Sequence, residues 1–112
     1  MSALDDAITK GNAKLNDLLA LQNKALDAHD HAKQKSLQGA IEDLTFQLGR
    51  LNGIAIANDD AKIGSLNAQL DKVTQAAATA MNNLAKVEAV VGDVAAIASI
   101  VDGIVAIAVK VG

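Results

Sequence analysis

The chain has 112 residues, enough for one domain, with 51 % apolar residues, a single aromatic (Phe46), no Cys, no Pro and a net charge of −3. These totals exclude a disulfide framework and Cys-based metal or thiol chemistry, and they leave the redox compartment open. Residues 1–60 hold 6 Lys/Arg against 9 Asp/Glu, and residues 61–112 hold 4 against 4. With no basic stripe and no set of stacking aromatics, nucleic-acid binding is not expected.

The N-terminus, MSALDDAITK, is acidic and has no apolar run, so it does not read as a signal peptide. The expected location is the cytoplasm or, by a signal-less route, outside it. Ser2 with Asp5 resembles a capping box. Leu4, Ile8, Leu15, Leu18, Leu19 and Leu26 then form a helical face, which Gly11 and Asn12 interrupt.

From His29 to Ser36 the chain is almost wholly polar. With no Gly or Pro there, one long helix through this stretch is the expectation; a break near 33–36, capped by Ser36, is the alternative. Asp27, His29, Asp30 and His31 are the only cluster that could hold a metal. On a helix Asp27 and His31 share a face and His29 does not, too few ligands for zinc, so a solvated polar face is expected.

A heptad-like seam follows, in which Leu37, Ile41, Leu44, Leu48, Leu51 and Ala55 alternate spacings of four and three. Gly39, Phe46, Gly49 and Gly53 lie on a second face of the same segment. Each glycine costs a helix roughly 1 kcal/mol against Ala, so either another backbone approaches this face or the glycines are tolerated at the surface. The seam loses phase at residues 56–62, the predicted tip of an antiparallel hairpin. Asn58 suits a helix end there, and Asp59 or Asp60 suits the next cap. The pair fails as a calcium loop, because Ala61 and Ile63 stand where oxygen ligands are needed.

A second seam runs Ile63, Leu66, Leu70, Val73, Ala77, Ala80, Leu84, Val87, Val91 and Val94. Ala76, Ala77, Ala78 and Ala80 make this helix thin at its middle, open to close approach. Gly92-Asp93 reads as a helix stop followed by a cap, dividing an arm at 61–91 from a tail at 93–112.

The segment Val87–Val111 has 18 apolar residues among 25 and must be covered by something. As a helix it carries one stripe of small or polar residues: Glu88, Gly92, Ala95, Ser99, Asp102 with Gly103, Ala106 and Lys110. Asp102-Gly103 between Val/Ile runs is also a hairpin-turn signal, which is the competing reading; the alanines favour helix. Val94 to Val109 is shorter than the roughly 20 residues that span a bilayer. Asp102 at its centre adds about 3 kcal/mol to insertion, so a lone constitutive span is not expected.

The fold expected is therefore all-α: a long antiparallel helical hairpin or small helical bundle with coiled-coil-like seams and an apolar C-terminal helix. It forms one domain over 1–112, with a first arm at 1–57. No catalytic, cofactor-binding or metal site is expected. No hydroxyl nucleophile has a His and an acid in a local motif, no Glu-x-x-His occurs, and Gly49–Gly53 lacks a phosphate-loop ending. The expected function is non-enzymatic assembly as a homo-oligomer or with a protein partner. Val94, Ile97, Ile100, Val101, Ile104, Val105, Ile107 and Val109 are the interaction residues, and Gly49, Gly53, Ser99 and Gly103 the helix-packing residues. The alternative is a membrane-active protein, such as a component of an α-helical pore-forming toxin, that conceals residues 93–112 until triggered.

Overall fold

The structure, a computed structural model, describes the backbone of residues 2–111 and the side chains of residues 2–108. Helix α1 is Ala3–Asp27, α2 is His31–Leu51, α3 is Ala61–Asn82 and α4 is Val87–Val111, with a short 3-10 turn at Leu84–Lys86 before α4. All four belong to one all-α bundle, 48 Å long and 19 Å across in each other direction. The helices that pack are α1 with α2, α3 with α4, α2 with α4, and α1 with α3.

Directions follow from the contacts at one end. The Ala3 N–H donates to Asn58 Oδ1 at 2.9 Å, which sets the start of α1 beside the segment joining α2 to α3. Arg50, near the end of α2, meets Asp102, near the end of α4, at 2.7 Å. So α1 and α3 run one way, and α2 and α4 run the other. The chain forms two local antiparallel hairpins, α1–α2 and α3–α4, laid side by side. Residues 52–60 connect diagonal helices across the bundle end.

The first arm is not one helix, and Ser36 caps nothing. Helix α1 stops at Asp27 because His29 adopts φ 59°. The His29 N–H donates to Leu26 O at 2.9 Å and the Asp30 N–H to Ala25 O at 2.9 Å. This is the Schellman pattern, with His in the place glycine usually fills. Asp30 then starts α2: its Oδ1 accepts from the Lys33 N–H at 3.2 Å and its Oδ2 pairs with Lys33 Nζ at 2.8 Å.

The second arm also breaks earlier than expected. Asn83 leaves the helix at φ −154°, and its side chain accepts from the Ala85 N–H at 3.1 Å. Helix α4 runs unbroken through Gly92-Asp93, and Asp102-Gly103 is helical rather than a strand turn. Other expected caps do form. Ser2 Oγ accepts from the Asp5 N–H at 3.0 Å, and Asp60 Oδ1 accepts from the Lys62 N–H at 2.8 Å. Asn58 serves α1 rather than the end of α2, where Gly53 at φ 80° makes the turn.

The core is aliphatic throughout. Leu37, Leu44, Leu48 and Leu51 of the first seam are buried, as are Ile63, Leu66, Leu70, Val73, Ala77 and Ala80 of the second. Gly11 does not interrupt α1. It is buried inside it, where Leu48 of α2 packs closely. Burial of this kind contributes about 1.5–3 kcal/mol per large side chain and holds the two hairpins together.

Candidate interaction surface on the fourth helix

Helix α4 divides its apolar residues between two faces. Val87, Val90, Val94, Ile97, Val101 and Ile104 are all buried in the chain's own core. Of the expected interaction residues, Val94, Ile97, Val101 and Ile104 are thus covered by the chain's own core. Ile100 and Val105 are half-buried against that core, and Ile107 is half-buried near the bundle end. Val109 lies outside the described side chains.

The opposite face is open. Glu88, Ala89, Gly92, Ala95, Ala96, Ser99, Asp102 and Ala106 are exposed. Glu88, Gly92, Ala95, Ser99, Asp102 and Ala106 belong to the stripe read from the sequence, whose Gly103 is half-buried and whose Lys110 lies outside the described side chains. Between Glu88 and Asp102 the exposed residues of α4 are Ala89, Gly92, Ala95, Ala96 and Ser99, none of them charged. Asp93 is half-buried, and its carbonyl accepts from Gln69 Nε2 of α3 at 2.8 Å. The other helices present charges to water: Asp5, Asp6, Lys24 and Asp27 on α1, Lys35 and Glu42 on α2, Asp71 and Lys72 on α3.

The packing glycines have separate situations. A Cβ at Gly49 or Gly92 would meet nothing within 4 Å, and one at Gly103 would touch Lys62 at 3.4 Å. Among the described residues no backbone approaches Gly39, Gly49 or Gly53, and Phe46 among them stands 64 % exposed. The thin part of α3 leaves an open groove of about 270 Å³ against α1, lined by Asp17, Ala20, Thr74, Ala77, Ala78 and Met81.

Asp102 is exposed and pairs with Arg50 of α2. Arg50 Nη1 also donates to Gln47 Oε1 at 2.9 Å, and Gln47 Nε2 to Asp43 Oδ1 at 3.2 Å, so a polar chain lines the α2–α4 seam. Gln47 and Gln69 sit at buried positions. The sequence reading missed both, because glutamine at a core register carries no distinguishing signal until its partner is known.

The Asp27–His31 cluster is taken up by chain reversal. Asp30 caps α2, His29 turns the backbone, and His31 Nδ1 lies 3.3 Å from Gln34 Oε1. Hydrogen bonds from the Lys33 side chain and backbone hold the Asp30 carboxyl below its usual range. Among the described residues no three His, Cys, Asp or Glu side chains are grouped to hold a metal. Comparison with protein-family models, curated proteins and solved structures gave no match to this chain.

Proposed function

We propose that this is a non-enzymatic helical assembly protein that self-associates through the outward face of α4. The uncharged run Ala89, Gly92, Ala95, Ala96 and Ser99 on a surface helix carries the reading. A helix that is apolar over most of its circumference exposes little charge with which to meet water, so its remaining face is suited to packing. Small residues four apart, such as Ala95 with Ser99 and Gly92 with Ala96, let a second helix come close. The face is flat and offers mainly packing, which suits a rigid helical partner such as a second copy. Gel filtration with light scattering tests this: an oligomer is expected, dissociated by Ala95→Lys or Ser99→Lys while circular dichroism stays helical. A wild-type monomer at micromolar concentration would sink it.

A second reading is membrane activity, in which α4 leaves the bundle for a bilayer. Its support is the continuity of the helix: Leu84–Ala108, 25 residues, is long and apolar enough to cross a membrane by length and composition. The expected break at Gly92-Asp93, which shortened the tail, is not there. Dye release from liposomes and co-flotation test this reading. Intact, unbound vesicles across lipid compositions and pH values would remove it.

A further inference from the structure

We propose that residues 52–60 are a hinge across which two copies of the chain exchange hairpins, the α1–α2 unit of one packing on the α3–α4 unit of the other. This inference does not depend on the outward face of α4.

Three observations carry it. First, each hairpin is closed locally, at Ala28–Asp30 and at Asn83–Lys86, while the connection between hairpins is the longest non-helical segment. Second, apart from apolar packing, the hairpins are tied by Lys10–Asp71 and Arg50–Asp102, while the Ala3–Asn58 hydrogen bond ties α1 to the connection itself. Asp71 and Asp102 are 58 % and 65 % exposed, and such exposed ion pairs are weak ties. Third, the closed connection turns on one residue and leaves open space beside it. It needs φ 80° at Gly53, and it leaves an open hollow of about 560 Å³ between Ala55, Ile56, Ala57, Asp60 and Ile107.

The occupant follows from complementarity. An opened hairpin bares apolar residues such as Leu18, Leu44, Leu70 and Ile97, which are buried in the closed chain. The surface that covers them best is the other hairpin, and a second copy supplies it unchanged. Exchange therefore keeps the core and both ion pairs between hairpins, while an extended connection no longer needs φ above zero. Residues 52–60 reach roughly 30 Å when extended, more than the 19 Å width of the bundle. Hairpin exchange is a low-cost route to a dimer under these conditions.

The test uses the full chain. Nitrogen-14 and nitrogen-15 protein are unfolded together, refolded at high concentration and separated into monomer and dimer. Carbodiimide then joins Lys10 to Asp71, and the linked peptides are weighed. Exchange predicts mixed-isotope Lys10–Asp71 links in the dimer and none in the monomer, while Lys33–Asp30 links stay same-isotope in both. A dimer with only same-isotope Lys10–Asp71 links overturns exchange and leaves α4-mediated association standing; absence of any dimer overturns it too. Gly53→Ala, which disfavours the closed turn, is expected to raise the dimerisation constant roughly ten-fold per chain, hence about a hundred-fold for two. A Gly/Ser insertion in the hinge, which relaxes the closed turn, is expected to lower it. An unchanged constant in both variants overturns the hinge assignment.

Discussion

Leu48 of α2 fills the space that a side chain on Gly11 of α1 would need: a Cβ there would lie 2.5 Å from Leu48 Cδ2 and 3.0 Å from Leu48 Cδ1. The contact draws the two helices of the first hairpin together where neither is exposed. It makes Gly11 different from the other helical glycines of the chain. Gly11→Ala is expected to destabilise the protein by about 1 kcal/mol, because overpacking of about 1–3 kcal/mol outweighs the helix gain of about 1. Gly39→Ala and Gly49→Ala, which meet nothing within 4 Å, are expected to stabilise by up to about 1 kcal/mol each. Urea unfolding monitored by circular dichroism checks the pair of signs.

His29 holds a conformation that costs most L-residues about 1–2 kcal/mol. His29→Gly is therefore expected to raise stability by about 0.5–1 kcal/mol, once the greater freedom of glycine in the unfolded chain is deducted. His29→Val is expected to lower it, since a β-branched residue is worse still at positive φ. Thermal melts of both variants decide this.

Asp30 has a folded-state pKa below its usual value, caused first by the side-chain hydrogen bond from Lys33 and then by the Lys33 N–H. A depressed carboxylate contributes stability above its unfolded pKa and loses it as pH falls through the folded one. Its effect is thus complete at neutral pH and fades only in the acid range. Carbon-detected NMR titration is expected to show Asp30 protonating at lower pH in the wild type than in Lys33→Ala.

The Arg50–Asp102 pair is exposed on its acid side, and such pairs contribute about 0–1 kcal/mol. Asp102→Asn is expected to leave the fold intact and cost less than 1 kcal/mol, with the difference shrinking as salt rises. A loss larger than that in denaturant titration would show that the Asp43–Gln47–Arg50–Asp102 chain acts as a unit.

The all-α class and most buried positions were legible in the sequence because apolar residues at spacings of three and four report directly on helix faces. So was the small-residue stripe of α4. Both helix breaks were misplaced for one reason. The chain reverses at His29 and Asn83, neither of which is glycine or proline, while Gly92-Asp93 looks like punctuation but lies within α4. The backbone there is settled by tertiary packing: Val90 and Val94 on either side are buried, so the helix is held through the glycine. Which face of α4 stays free could not be read either, because an almost wholly apolar segment is compatible with any orientation until its neighbours are placed.

The capping of α1 by Asn58 sets an order of events during synthesis. The first hairpin can make all its local contacts once Leu51 has left the ribosome, and contacts so close in sequence form quickly. Its N-terminal end is completed only when Asn58 follows, and its apolar face is covered only as α3 and α4 emerge. The first hairpin thus leaves the ribosome ahead of the second, and its inner face is the part of the core that waits longest for its cover.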